Sequence, residues 1–342
     1  MNTPVYIFSK KELVSNYQNM CSLLKNAHVC YTLKTNAEKD VLKVLADVGA
    51  SFECASVGEY KRIMDLGVSP ECTIFGLPIK PEETIQYVYD NGGKYFVFEE
   101  LLELNKLIKY APDSKKVLRI NVNDIVSNTI DYGMLMEDII NNEGGFLQYV
   151  DGISFHISNN TNVEVFRKAC QRVDEILQLL NTIHRKKYLV NIGGGFHLNA
   201  GQEFYDGLNC AIEELVKKYD VDVYAEPGES IVGSAGKLYT KVIDVRKDGH
   251  MMDVYMDSGV PQGVATRRQP SDVKLFNNIR TKQKKSIYRF MDCTCLGAAL
   301  VIKRSNLDIQ VDDILEFEGC GAYTTVFCND FHSYEKCPVI VK

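Results

Sequence analysis

A lysine stands at the end of an apolar run. Val29-Cys30-Tyr31-Thr32-Leu33 has the pattern of a buried strand, Lys34 closes it, and helical spacing resumes from about Glu38. Strand, loop and helix in that order put Lys34 at the C-terminal end of a strand, the edge where catalytic groups of α/β barrels collect. An amine held there in a dry place loses basicity and can condense with a carbonyl. Ser154-Phe155-His156-Ile157-Ser158 ends another strand in a histidine, whose flat ring can lie on a flat cofactor. Asn191-Ile192-Gly193-Gly194-Gly195-Phe196 ends a third in glycines, whose N–H groups can approach and cradle a phosphate. Tyr224-Ala225-Glu226-Pro227-Gly228-Glu229 ends the next in a carboxylate that needs a partner. A pyridinium nitrogen is one such partner, and the pair would strengthen an electron sink. Cys293-Thr294-Cys295-Leu296-Gly297 and Gly321-Ala322-Tyr323-Thr324 add a thiol and a phenol. Singly, each is ordinary: a surface lysine, a half-buried histidine, a tight turn, a salt-bridged glutamate. Their joint order carries the argument.

The elements that must position these residues alternate. From residue 28 to about 226, apolar runs and helical spacing repeat about eight times, the count of a (β/α)8 barrel. A doubly wound open sheet has the same rhythm, because periodicity does not report closure. Before it, Pro4–Phe8 reads as a strand, and Ser9 with Glu12 as the capping box of a first helix. After Gly228 the texture becomes short β-rich runs, among them Thr324–Phe327, the pattern of a separate β domain of about 100 residues. Arg267–Lys285, rich in Lys and Arg, reads as a long exposed loop. The expected organisation is an α/β protein: a barrel over 28–235 and a β domain over 236–342, joined by an N-terminal strand and helix over 1–27.

The bulk numbers narrow the class. At 342 residues the chain is long enough for two domains. Its net charge of -6 leaves no electrostatic footprint for nucleic acid. Eleven scattered cysteines, without zinc spacing, suit a reduced cytoplasmic protein with free thiols. Met1-Asn2-Thr3-Pro4 does not open a signal peptide, and no apolar stretch is long enough for a membrane span.

Taken together and in this order, these stretches resemble the fold type III pyridoxal-phosphate decarboxylases: the ornithine, diaminopimelate and carboxynorspermidine enzymes. The resemblance runs over essentially the whole chain. It implies pyridoxal 5'-phosphate as cofactor, a (β/α)8 barrel with an alanine-racemase-like C-terminal β domain, and a homodimer with shared active sites. It makes Lys34 the Schiff-base lysine. Glu53, in Phe52-Glu53-Cys54-Ala55-Ser56, matches an acidic position near it, and Glu59 a second one on the substrate carboxylate side. Arg119, in Leu118-Arg119-Ile120-Asn121, matches the arginine near the ring hydroxyl. His156 matches the histidine on the ring, Gly193, Gly194 and Gly195 the phosphate loop, and Glu226 the carboxylate on the pyridine nitrogen. Cys295 matches the proton donor lent by the partner subunit, and Tyr323 the tyrosine on the phosphate.

The sequence departs from the better-known enzymes at three places. Glu229 follows Glu-Pro-Gly where an arginine usually meets the phosphate, a feature similar to the carboxynorspermidine branch. Leu296 follows Cys295 where Asp is usual, and Ser258 stands where ornithine enzymes carry Asp. The carboxylates that grip a distal ammonium are thus reduced. The expected substrate is an amino acid head group with an atypical tail. A carboxynorspermidine-like polyamine precursor is one option. Another is a 3-amino-3-carboxypropyl group on a larger peptide or nucleotide, as trimmed by the decarboxylase half of the microcin C maturation enzyme. On that second option the chain is one domain of a longer enzyme of antibiotic biosynthesis. Competing readings are an ornithine, lysine or diaminopimelate decarboxylase, an alanine-racemase-like enzyme with a tyrosine base, and a non-catalytic protein resembling the antizyme inhibitors.

Overall fold

The computed structural model describes residues 1–126, 132–158, 162–196, 200–277 and 280–342. Strand β1 (Val5–Phe8) leads into helix α1 (Lys10–Leu23) through Ser9. Ser9 Oγ accepts the Glu12 N–H at 3.2 Å, the expected cap. Eight strands follow, with helices between them: β2 (His28–Thr32), α2 (Lys39–Asp47), β3 (Ser51–Cys54), α3 (Val57–Met64), β4 (Thr73–Phe75), α4 (Glu82–Asp90), β5 (Tyr95–Phe98), α5 (Leu101–Tyr110), β6 (Lys115–Arg119), α6 (Met136–Asn141), β7 (Gly152–Ser154), α7 (Val163–Ile183), β8 (Tyr188–Asn191), α8 (Gln202–Lys218) and β9 (Val221–Ala225). All eight pair in parallel, and the ring closes where His28 and Val29 meet Tyr224 and Ala225. The expected barrel is present, and the open sheet is excluded.

These strands read as nearly continuous apolar runs because both faces of a parallel barrel are covered. Tyr31, Phe52, Phe96, Val117, Leu118, Ile153 and Val190 are fully buried. Val97, Val117 and Leu189 pack together with Tyr95 and Tyr224 against them. Helices α3 and α7 begin on side-chain caps worth about 1 kcal/mol each. Ser56 Oγ accepts the Glu59 N–H at 3.1 Å, and Asn162 Oδ1 accepts the Glu164 N–H at 3.0 Å.

Beyond the barrel come α9 (Glu229–Val232) and strands β10 (Gly236–Asp248), β11 (Met251–Met256), β12 (Asp272–Leu275), β13 (Thr281–Met291), β14 (Ala299–Leu307), β15 (Ile314–Glu318) and β16 (Val339–Val341). They form a mixed sheet in the order β12-β15-β10-β11-β13-β14. The long β10 serves two partners. Leu238–Lys241 pairs with β15, and after a register shift between Val242 and Asp244 the strand pairs with β11. Strand β1 joins this sheet, antiparallel to β10 and parallel to β16.

Two expectations change here. Arg267–Lys285 is not one long loop: Asp272–Leu275 and Thr281–Met291 are strands, while residues 278 and 279 lie outside the described set. Val273 and Leu275 face inward, while the lysines that suggested a loop stand on outward or edge positions. Thr324–Phe327 is not a strand but a 3-10 turn, closed by the Phe327 N–H on the Thr324 carbonyl at 2.8 Å.

Contacts divide the chain into two compact units. One comprises Met1–Asn16, Lys34–Val44 and Ile231–Lys342, and the other Tyr17–Leu33 and Leu45–Ser230. Among the described residues no helix is long and apolar enough to cross a membrane.

Candidate active site

Strand register lines up the barrel unit's polar residues at the C-terminal end of the strands. Thr32 of β2 pairs with Glu53 of β3, and Arg119, Ser154, Asn191 and Tyr224 form one row across β6 to β9. Glu53 is buried and accepts a short hydrogen bond from Thr32 Oγ1. It lies over Gly76, where a Cβ would stand 2.3 Å from Glu53 Oε1. Burial pushes the Cys30 thiol well up, and the charges of Glu226 and Glu53 reinforce the shift. Both carboxylates therefore bear on one interior thiol, which stays protonated.

The glycine loop is tied into the strand ends beside it. Gly193 and Gly195 have φ of +67° and +80°, which disfavours any side chain. The Gly193 N–H donates to Asn191 Oδ1 at 2.9 Å, and the Gly194 N–H to His156 Nδ1 at 3.2 Å. Two of the three glycine donors are thus engaged within the protein. The glycines also allow close approach. A Cβ on Gly193 would lie 2.4 Å from the Phe155 carbonyl oxygen, and one on Gly194 2.3 Å from that of Glu226. The Glu226 N–H donates to the Gly193 carbonyl at 2.7 Å, and Asn191 Nδ2 donates to Glu226 Oε1 at 2.7 Å. Asn191 thus holds the Glu226 carboxylate with one end of its amide and the glycine loop with the other. No local pattern announced this double role. Its place at the last position of β8, directly before the glycines, is the signal that could have found it.

Arg119 and His156 line one small cavity of about 20 Å³ with Tyr132 and Ser158. The Arg119 guanidinium lies 5.0 Å from the Tyr132 ring centroid. Glu59 braces its own helix start, where its Oε2 accepts the Ala55 N–H at 2.7 Å. Glu229 opens the short helix α9.

In the other unit, Lys34 lies in the turn Leu33–Thr35, two residues beyond β2. Its side chain is exposed between buried Leu33 and Thr35. The Tyr323 N–H donates to the Thr35 carbonyl at 2.8 Å, and Asn36 Nδ2 to the Gly321 carbonyl at 2.9 Å. The turn carrying Lys34 and the turn carrying Tyr323 are thereby tied together. Arg267 stacks over the Tyr323 ring at 5.0 Å, a contact the sequence did not announce. Cys295 is exposed, with Sγ 3.6 Å from His332 Nε2. Leu296 is 57% exposed, whereas Ser258 is buried with its hydroxyl 2.7 Å from Thr240 Oγ1.

The residues fit pyridoxal phosphate. Ser154 Oγ, between Arg119 and Asn191 in register, is a buried hydroxyl without a hydrogen-bond partner among the described residues. Within the barrel unit, an arginine, a histidine and a braced carboxylate suit a phenolic oxygen, a ring face and a pyridine nitrogen.

A (β/α)8 barrel with a β domain and this rim defines a class of cofactor-dependent enzyme. The sequence model of the pyridoxal-dependent decarboxylase, pyridoxal binding domain, matches residues 10–233, and the chain belongs to that family, an amino acid decarboxylase family whose cofactor is pyridoxal phosphate. Among curated proteins it is similar to antizyme inhibitor 2 of Xenopus laevis, with 25% identity over 96% of this chain and 78% of that protein. It is also similar to the decarboxylase flvG of Aspergillus flavus (28%, covering 97% and 84%) and to ornithine decarboxylase of Rattus norvegicus (24%, covering 97% and 78%). The arginine decarboxylase of Paramecium bursaria Chlorella virus superposes with a TM-score of 0.91 at 24% identity, over 100% of this chain and 97% of that one. The lysine/ornithine decarboxylase of Vibrio vulnificus complexed with cadaverine gives 0.88 at 22%, over 99% and 94%. At these identities the structures speak for the fold alone.

Proposed function

We propose that the protein removes the α-carboxylate from an amino acid head group with an atypical tail. Bound pyridoxal phosphate supplies a sink for the electron pair that the departing carboxylate leaves behind. In this reading Lys34 tethers the cofactor at its aldehyde carbon and later releases the amine product. Glu226, braced by Asn191, keeps a proton on the ring nitrogen. His156 attends the ring face, Arg119 the ring hydroxyl, Glu53 the lysine end and Glu59 the substrate carboxylate side. The loop of Gly193, Gly194 and Gly195 and the Tyr323 hydroxyl attend the phosphate. Cys295 returns a proton to the α-carbon, lent across a homodimer; its exposed neighbours Leu296, Phe331 and Tyr334 suit a surface that a second copy covers.

The observation that carries the substrate reading is the pair Leu296 and Ser258. The first is apolar and exposed, and the second is buried on Thr240, so neither offers a carboxylate to a distal ammonium. The tail we infer is carboxynorspermidine-like, or a 3-amino-3-carboxypropyl group on a peptide- or nucleotide-linked molecule of the microcin C type. The eleven cysteines all stand as free thiols, which suits a reduced cytoplasmic setting. Likeness to an antizyme inhibitor favours a second reading, a non-catalytic binding protein. Retention of Lys34, His156, Glu226 and Cys295 weighs against it.

The test is the visible spectrum of the purified protein with pyridoxal phosphate, then a screen of amino acids for carbon dioxide release. The screen includes ornithine, lysine, arginine, diaminopimelate, carboxynorspermidine and an aminocarboxypropyl nucleotide. Lys34→Ala should lose the visible band of a lysine-linked cofactor, and Cys295→Ala should keep it while losing clean α-protonation. A band unchanged by Lys34→Ala would sink the assignment.

A further inference from the structure

We propose that His332 is a positioning residue that hydrogen-bonds Cys295, favours its thiolate and returns a proton to it after transfer; the inference rests on the reading of Cys295 as proton donor. Cys295 Sγ and His332 Nε2 lie 3.6 Å apart, within hydrogen-bonding range for sulfur. Both side chains are exposed, so the contact is not a by-product of core packing. The backbone is bent to make it. His332 and Ser333 have φ of +57° and +59°, successive left-handed residues without a glycine. Such conformations are sparsely populated, and they persist where surrounding contacts over-determine them.

Those contacts are present on both sides. Asn329 donates its N–H to the Pro261 carbonyl at 3.0 Å, and Asn329 Oδ1 accepts the Phe331 N–H at 3.0 Å. The Phe331 ring lies 4.1 Å from the His332 ring, and Tyr334 Oη donates to the Cys293 carbonyl at 3.1 Å. On the thiol side, Asp292 accepts the Thr294 N–H at 2.6 Å, and Thr294 Oγ1 accepts the Leu296 N–H at 3.2 Å. Two braced turns therefore aim one imidazole at one sulfur.

The position after Cys295 supplies no carboxylate, because it is Leu296. The ionisable groups on the surrounding turns include Asp292, Cys293, Asp330 and Tyr334. Asp292 is committed to the N–H groups of Thr294 and Val260. Burial pushes the Cys293 thiol up to about 11, and the charge on Cys293, with burial after it, raises the Tyr334 phenol. His332 is the one of these side chains in hydrogen-bonding range of the sulfur, and an imidazole is the side-chain type suited to proton exchange near neutral pH. The proton balance is simple. Sγ gives its proton to the product α-carbon and is left as thiolate, His332 as imidazolium returns one from Nε2 to Sγ and becomes neutral, and a proton from solvent restores the imidazolium.

The experiment measures iodoacetamide alkylation of Cys295 in the full-length holoprotein by peptide mapping, as a function of pH. Wild type is compared with H332N, which suits the left-handed backbone but cannot titrate, and with H332Q, which keeps an amide near the place of Nε2. Cys21 and Cys210, also exposed, serve as reference thiols. At neutral pH, Cys295 should react about tenfold more slowly in H332N, with the reference thiols unchanged. Both variants should lose the part of the pH profile that follows an imidazole. A Cys295 rate and profile unchanged in H332N overturn the inference. If H332N disturbs the reference thiols, H332Q decides: a wild-type profile overturns the pair, and a profile without the imidazole step supports it. A protein that alkylates as expected and yet binds no cofactor overturns the decarboxylase reading while the pair stands.

Discussion

Replacing Gly194 by alanine probes the link between the glycine loop and Glu226. The new Cβ would lie 2.3 Å from the Glu226 carbonyl oxygen and 3.5 Å from His156 Cε1. Carbon–oxygen contacts settle near ~3.3 Å, so roughly 1 Å must be found, and the obstructing atom is backbone. Overpacking of this kind costs about 2 kcal/mol. The movement passes directly to the carboxylate position, because Glu226 is held by its N–H on the Gly193 carbonyl and by the Asn191 amide. If that cost falls on the cofactor-binding conformation, pyridoxal phosphate should bind about 30-fold more weakly. Equilibrium dialysis of the cofactor into the apoprotein measures this, with urea unfolding of the same sample to separate stability from affinity. Gly58→Ala is the control. Its Cβ meets only Ser56 Oγ at 3.7 Å, inside helix α3, so it should gain about 0.5–1 kcal/mol in stability and leave affinity alone. Wild-type affinity in Gly194→Ala would refute the claim that the loop's close approach positions Glu226.

Two further predictions concern stability. Lys80 is buried, its ammonium donating to the carbonyls of Leu77 and Val97 at 2.9 and 2.6 Å and pairing with Glu103 at 2.8 Å. Lys80→Met should cost about 3 kcal/mol in urea unfolding, and adding Glu103→Leu should recover part of it. A neutral single mutant would contradict the pairing. Alkaline pH should weaken the fold, because burial raises the Cys30, Cys54, Cys170 and Cys320 thiols above their ordinary value of 9.0, the last two to about 12. Above pH 9 the unfolded chain loses protons that the folded chain keeps, so this stability is full below 9 and falls as pH rises toward 12. Each thiol contributes a slope of about 1.4 kcal/mol per pH unit. Cys170→Val should flatten the slope measured by urea titration between pH 9 and 11 by one thiol's share, and an unchanged slope would count against it.

Much of the site was legible along the chain because each rim residue sits at a strand end, and strand ends announce themselves. The apolar run before Lys34, the strand before Gly193 and the strand before Glu226 were all visible as local texture. Asn191, Thr32 and Gly76 were not, because their value lies in what they touch: Glu226 and the glycine loop for Asn191, Glu53 for the other two. His332 was invisible for a related reason, since it reaches Cys295 across 37 positions of sequence. The strands Asp272–Leu275 and Thr281–Met291 were masked by lysines, because outward and edge positions carry charge without disturbing the ladder.

The sequence by itself determined the order and spacing of strands and helices, the cap residues, and the chemical types at the rim, because these depend on periodicity and local hydrogen bonding. It also pointed to the cofactor, through a lysine, a histidine, a glycine run and a glutamate in a fixed order. Only the tertiary structure decided that the barrel closes, through His28 and Val29 on Tyr224 and Ala225, and that strand β1 belongs to the sheet of β10 and β16. It alone decided that two of the three glycine N–H groups serve Asn191 and His156. Those are contacts between segments far apart in sequence. Their partners are selected by register and packing, which no local pattern encodes.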